Sequence, residues 1–330
     1  MLSEGLRAWP IRHPQYLAVV ARRPFRFAVQ EQQASSATQW RERARQLESM
    51  GYSALYLPDH FSDLPGPIAA LMAAADATTK LRVGSLVFDN DYRHPVVLAK
   101  EAATLDLLSD GRLDLGLGAG WMTSDYEKAG IPLDSAGTRI ERMEEGLQII
   151  KGLMAGGSFS FTGKHYQIKD MEGTPLPVQR PHPPILLGGG GRRMLTLAAR
   201  EANIVNVNYN LSAGRPGKEV AQTGVAAATE EKMRWIREAA GDRFEQLELG
   251  AYVYFANITE DRESLAEAFS HTLGLSTAEL LEMPHLLVGT IDQIVADLQA
   301  RRERYGMSYV IVPGDAADSF APIAERLSGT

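Results

Sequence analysis

The sequence predicts an α/β protein, a (β/α)8 TIM barrel with an insertion after its fourth strand. Three observations predict it. Short runs rich in β-branched and aromatic residues alternate with alanine- and leucine-rich helical stretches. The first four such runs begin at residues 25, 53, 81 and 112, about 28 to 31 residues apart, the length of one βα unit. The length of 330 residues suits two ordinary domains or one large barrel, and the recurring unit favours the barrel.

The elements follow in order. Residues 25–30 (FRFAVQ) read as a strand and residues 40–50 as a helix stopped by Gly51. Residues 53–58 (SALYLP) form the second strand, 67–78 an alanine-rich helix, 81–88 (LRVGSLVF) the third strand and 95–108 the next helix. Asp110-Gly111 closes that helix, and residues 112–118 (RLDLGLG) form the fourth strand. The period then breaks over residues 121–183, where 138–154 carry apolar residues at helical spacing and 158–169 read as a hairpin turning at Gly163-Lys164. It resumes with strands at 184–187, 204–208, 247–258 and 308–313, and helices at 192–201, 229–240, 262–272 and 290–305. Residues 24–330 are therefore expected to form a single barrel domain, and residues 1–23 an extension.

Composition narrows the function. The chain is 45% hydrophobic and 23% charged, enough to bury a large core. Its 34 basic and 41 acidic residues leave a net charge of −7, which argues against nucleic-acid or anionic-membrane binding. There is no cysteine, which excludes thiol nucleophiles, disulfides, iron–sulfur clusters and thiolate zinc sites, and fits a cytoplasmic location. Residues 16–21 (YLAVVA) are too short for a signal-peptide core and run into Arg22 and Arg23. His94, His165, His182, His271 and His285 show no metal-ligand spacing, and no G-x-S-x-G elbow is present. Glu141, Glu144 and Glu145 read as a solvated helix face.

In a barrel of this kind the site lies at the C-terminal strand ends. Strand two ends in Asp59-His60, and the imidazole there can transfer protons, hydrogen-bond or stack on a ring, or simply be held by a carbonyl. Strand three ends in Leu86-Val87-Phe88-Asp89-Asn90, where Leu86 and Val87 read as core. Strand four ends in Gly116-Leu117-Gly118-Ala119-Gly120-Trp121, whose glycines permit close approach either by a flat ligand or by a neighbouring strand. Strand five ends in Gly188-Gly189-Gly190-Gly191-Arg192-Arg193 at a helix start, the ingredients of a phosphate cradle. Asn206, Asn208 and Tyr209 after strand six offer a neutral hydrogen-bonding pocket. The glycines from Gly116 also look like a methyltransferase motif, but that motif opens its sheet and here three βα units precede it.

The blocks GYSALYLPDHF, RHPVVLAKEAATLDLLSDGRLDLGLGAGW, DYEKAGIPLDSAGTRIERMEEGLQIIKGL, PPILLGGGGRRMLTLAAREANIV and LLVGTIDQIVADLQARRERYGMSYVIV together resemble the bacterial luciferase-like oxidoreductases. Within them DHF, GRLDLGLGAGW and the glycine loop are most similar to the branch that uses the deazaflavin coenzyme F420, with FMN as the alternative. The resemblance implies an F420-dependent oxidoreductase acting on a small organic substrate. An FMN-dependent monooxygenase and a deazaflavin-binding protein without turnover are its alternatives. It implies that His60 is catalytic and sits with Asp59 beside the ring, and that Leu86-Val87 is a non-proline cis peptide bulging behind it. Gly118, Ala119 and Gly120 would line the ring, while Gly188, Gly189, Gly190, Gly191 and Arg192 would hold the phosphate. Residues 121–183 would cover the site, and two copies would pair through barrel helices.

Overall fold

The computed structural model describes residues 23–34 and 36–330; residues 1–22, which hold most of the expected extension, lie outside the described residues. Eight parallel strands close into a barrel: Arg26–Gln30, Ala54–Leu57, Arg82–Ser85, Leu113–Gly118, Ile185–Gly189, Ile204–Val207, Glu248–Tyr252 and Met307–Pro313. Strand one pairs with both strand two and strand eight, and the third meets the fourth through Val83 and Leu113. Helices pack outside, as parallel strands require of their crossover connections.

Alternation along each strand sorts the core into two layers. On strand six Ile204 points inward with Ala28, Tyr56, Leu186 and Tyr309, while Val205 and Val207 point outward under the helices. Helix Ala37–Ser49 shows why a local sequence settles in this shell. Ser36 caps it by accepting from the Gln39 amide, and Trp40, Ala44 and Leu47 recur at helical spacing to form its buried face. Trp40 ties that face to the next helix by donating from Nε1 to the Ala70 carbonyl at 2.8 Å. Leu47 is fully buried, so Leu47→Ala would cost about 2–5 kcal/mol.

Two expected strands differ. Residues 81–88 do not form one strand: the peptide between Leu86 and Val87 is cis, and Phe88–Asp89 pairs separately with strand four. Residues 247–258 also divide. Glu248–Tyr252 belongs to the barrel, whereas Phe255–Ile258 leaves it to pair with a strand the sequence reading missed, Leu286–Gly289. Apolar character alone does not show where a strand leaves its sheet.

Between strands four and five lie helix Thr123–Ala129, helix Ala136–Ala155 and an antiparallel hairpin, Ser158–Thr162 with Gln167–Glu172. The glutamates expected to be solvated are partly used here. Glu145 accepts from the backbone amides of Lys164, His165 and Tyr166, and Glu141 pairs with Lys164 and His165, pinning the hairpin to the helix. Helix Ala317–Leu327, also absent from the sequence reading, buries Phe320, Ile323 and Leu327 after the last strand.

Candidate active site

The C-terminal strand ends surround a cavity of about 1,210 Å³. It exceeds the usual space for one drug-sized ligand, roughly 300–1,000 Å³, and leaves room for a coenzyme beside a substrate. His60, Asp59, Leu86, Val87, Gly118, Ala119, Gly120, Gly188, Gly189, Gly190, Gly191 and Arg192 all line it, so the structure brings every sequence-predicted site residue to one place.

His60 enters from the end of strand two. Its Nδ1 lies 2.6 Å from Asp125 Oδ2, and its ring stands edge-on to Trp121 with centroids 5.8 Å apart. A carboxylate on one ring nitrogen fixes the orientation of the other and favours the Nδ1–H tautomer when the imidazole is neutral. Asp125 lies in the first turn of the short helix Thr123–Ala129, and Tyr92 Oη donates to the same carboxylate oxygen over 3.4 Å. Neighbouring Asp59 accepts from Arg93 through both oxygens at 2.5 and 3.1 Å and from the Asp89 amide at 3.0 Å. It braces the loop, and its charge is already matched.

The glycines of strand four divide by task. A β-carbon at Gly116 would lie 1.9 Å from the Ser85 carbonyl, and one at Gly118 would lie 2.4 Å from Val87 Cγ2. Both positions are emptied for the neighbouring strand and its bulge, the structural alternative left open by the sequence. Leu86 and Val87 are half-buried, pack on the inner core layer and face the cavity, and Gln30 Nε2 donates to the Leu86 carbonyl at 2.8 Å. Gly120 has φ +71°, and a β-carbon there would strike Tyr126 Oη and Asp89. Its backbone is held by Arg139, which donates to the Ala119 and Gly120 carbonyls at 3.0 and 3.3 Å.

The glycine run after strand five also divides. A β-carbon at Gly190 would meet the Tyr209 backbone at 2.2 Å, whereas one at Gly191 would have its nearest neighbour at 4.0 Å. Gly190 is therefore a packing glycine, and Gly191 faces open cavity. Gly191 is also the N-cap of helix Arg192–Glu201 and brings no side chain to cap it. The first-turn amides of that helix are directed at the opening and favour an anion. Arg192 and Arg193 stand exposed on the rim, and Arg193 Nη1 donates to the Gly137 carbonyl of the inserted helix at 3.0 Å.

Asp89 is the site's unusual carboxyl. Burial pushes it up to about 7, with the negative charges of Asp91 and Asp59 acting in the same direction. Hydrogen bonds from the Asp91 amide and from Tyr126 Oη partly oppose that rise. Asp91 is itself neutralised by Arg142, whose Nε donates at 2.8 Å.

Asp125, Trp121, Tyr126 and Arg139 complete the site without having been singled out as functional. Asp125 carried no local signal beyond its place in a resembling block. Only folding brings its helix over strand two. Among the described residues no cluster of His, Asp or Glu is placed to hold a metal, and no helix is long and apolar enough to cross a membrane.

The family model for luciferase-like monooxygenases matches residues 23–308. The FMNH2-dependent dimethylsulfone monooxygenase of Pseudomonas putida is 33% identical over 141 residues, 43% of this chain and 38% of that protein. The chain thus spans well under two thirds of the length of that curated relative. Among solved structures, the F420-dependent tetrahydromethanopterin reductase of Methanopyrus kandleri superposes with TM-score 0.71 at 19% identity, covering 92% of this chain and 98% of that one. An F420-dependent secondary alcohol dehydrogenase, in complex with an F420–acetone adduct, gives TM-score 0.74 at 14% identity, covering 92% and 99%. At these identities the structural likeness speaks to fold.

Proposed function

The chain belongs to the luciferase-like monooxygenase family, and from that premise we propose that it is a coenzyme F420-dependent oxidoreductase moving a hydride between the deazaflavin and a small organic substrate. One observation carries the reading. Across a single cavity, the uncapped helix start at Gly191 and Arg192 faces the same space as the His60–Asp125 couple. When bound, the coenzyme supplies the hydride chemistry, and the protein supplies binding, orientation and proton handling.

The chain's residues divide that work. The amides after Gly191, with Arg192, hold the phosphate. The exposed Arg192 and Arg193 beside the helix start add positive charge that would suit a coenzyme with anionic groups beyond its phosphate, which supports the deazaflavin over FMN. Leu86 and Val87 give a planar ring an apolar backing, and Asp59, Gly118, Ala119 and Gly120 complete the wall around it. His60, with Nδ1 committed to Asp125, presents Nε2 to the substrate. There it can take the proton of a hydroxyl that is being oxidised, or return one to a carbonyl that is being reduced. Because a deazaflavin reacts poorly with oxygen, the activity proposed is dehydrogenase or reductase.

An FMN-dependent monooxygenase is the second reading, supported by the identity to an FMNH2-dependent relative. Titration of the purified chain with F420 and with FMN, followed by fluorescence, separates the two. F420 binding followed by substrate-dependent change of the deazaflavin absorbance is the expected result. Tight FMN binding without F420 binding, with oxygen uptake on supplied FMNH2, overturns it. A homodimer is part of the same proposal, since Val97, Leu107 and Leu108 leave apolar surface exposed on helix Pro95–Leu108. A monomeric mass by light scattering would refute that part.

A further inference from the structure

We propose that Gly214 and Thr123 are positioning residues for His60: the segment after strand six seats on the start of helix Thr123–Ala129 and so fixes Asp125 against the imidazole. Giving His60 a proton-handling role rests on the reading above; the contact itself does not.

The helix that carries Asp125 has seven residues, and a helix that short draws little stability from its own hydrogen bonds. Its two halves are held from different sides. The far half is anchored by Tyr126, whose Oη lies 3.0 Å from Asp89 Oδ2 and 3.1 Å from Asp91 Oδ2. At the near end Met122 brings no side-chain cap, and an amide at a helix start has no partner within the helix. The Thr123 amide donates instead to the Gly214 carbonyl at 3.2 Å, in the loop after strand six. Asp125 is the third residue of the helix. A first turn that frays at Thr123 therefore carries its carboxylate out of a 2.6 Å bond, and hydrogen bonds weaken steeply with misalignment.

Position 214 is built for this contact. Its φ is +71°, and a β-carbon there would lie 2.2 Å from Thr123 Oγ1 and 3.4 Å from the Trp121 carbonyl. Gly214 thus lies directly on residues 121–123, the segment that supplies Trp121 edge-on to the His60 ring and leads into Asp125.

The loop bearing Gly214 is itself fixed. At its base Lys232, 2% exposed, donates from Nζ to the carbonyls of Asn208 and Thr223 at 2.7 and 2.5 Å. The Asn210 amide closes the same base by donating to Thr223 Oγ1 at 2.8 Å. Ala221 is buried with Leu275, Leu280 and Met283, and the Gly214 amide donates to the Leu211 carbonyl at 3.0 Å. Leu211 and Ser212 of this loop line the cavity, so the wall after strand six and the His60–Asp125 couple are mechanically joined.

The test reads the His60 ring directly, by NMR of the full chain with isotope-labelled histidine and no coenzyme, its signal assigned by its loss in His60→Ala. Thr123→Pro removes the amide that reaches Gly214, while proline suits the first position of a helix. The His60 Nδ1–H is expected to exchange with solvent at least about tenfold faster than in the parent. Thr123→Ala keeps the amide and should retain the parent rate. Gly214→Val attacks the contact from the other side and should give the same acceleration, and it decides the matter where Thr123→Pro does not fold. The double variant should add nothing, since both changes remove one contact. His182, bonded through Nδ1 to the Pro183 carbonyl ahead of strand five, should be unchanged throughout. Parent-like His60 exchange in Gly214→Val or in folded Thr123→Pro overturns the proposal. So do additive effects in the double variant, or a His182 signal that changes together with His60. F420 and FMN are titrated into the same samples. If neither binds while His60 responds as expected, the redox reading falls and the positioning contact stands.

Discussion

The two ends of this barrel solve opposite problems with similar residues. At the N-terminal end the interior is closed by charges that satisfy one another. Arg82 donates to Asp114 Oδ1, and Tyr56 Oη donates to Asp114 Oδ2 at 2.8 Å. Tyr309 Oη extends the chain to Tyr56, and Arg26 pairs with Glu248 through both oxygens while lying 3.8 Å over the Tyr309 ring. At the C-terminal end the closure is incomplete: Asp89 touches no cation, and Arg192 and Arg193 stand exposed on the rim, where Arg193 reaches the Gly137 carbonyl. A sealed polar network supports the fold, and an unfinished one leaves places for ligands.

Breaking the closed end should give the largest effect on stability. Asp114→Ala leaves Arg26 and Arg82 without their shared carboxylate and is expected to cost about 3–5 kcal/mol in urea unfolding. Coenzyme affinity of the folded fraction should not change. A loss below about 1 kcal/mol would show that the network is not the seal described here.

Breaking the open end should spare stability and remove function. His60→Ala is expected to lower turnover by about 10²–10⁴-fold, with coenzyme affinity changed less than about threefold. Asp125→Asn should lower turnover less and shift the pH profile, because it disturbs only the orientation and charge partner of His60. An unaltered rate in His60→Ala would make that residue structural.

The glycine loop sharpens the comparison within one turn. Gly191→Val should weaken coenzyme binding by about 10–100-fold without lowering Tm, since its new side chain enters cavity space. Gly190→Val should instead lower Tm, because it meets the Tyr209 backbone. Equal Tm losses in both would refute the division.

The smallest effect is a pH slope from the open end. Asp89 rises from 3.8 to about 7 on folding, so the folded state holds more protons and this group's contribution to stability falls as pH rises through that window. His285 behaves oppositely. Buried among aromatics, it drops from 6.5 to about 3, so its contribution is present above 6.5 and is lost as pH falls toward 3. The two slopes oppose one another between about pH 4 and 6.5. In Asp89→Asn, stability should therefore rise more steeply with pH there than in the parent. An unchanged slope in chemical denaturation would show that Asp89 does not titrate as buried.

The barrel was legible because its signals are local and repeated. The spacing of strand starts, the apolar faces of helices and the glycine stop at Gly51 (φ +83°) each follow from short-range geometry. Site residues that end a strand, such as His60 and Gly188 to Arg192, were legible for the same reason: the fold class states where strand ends go. Asp125 was not, because its partner is 65 residues away and its own helix is only seven residues long. Nor was the departure of Phe255–Ile258 from the barrel, which depends on the Leu286–Gly289 strand being there to pair with it.

The sequence by itself therefore determined the (β/α)8 order, the outward apolar faces and the residues brought to the cavity rim, since periodicity and turn chemistry act within a few residues. Only the tertiary structure decided which glycine packs and which stands open, which carboxylate orients His60, and which polar groups remain without partners. Those outcomes depend on how far apart distant backbones come to rest, and the identity of a residue carries no record of that distance.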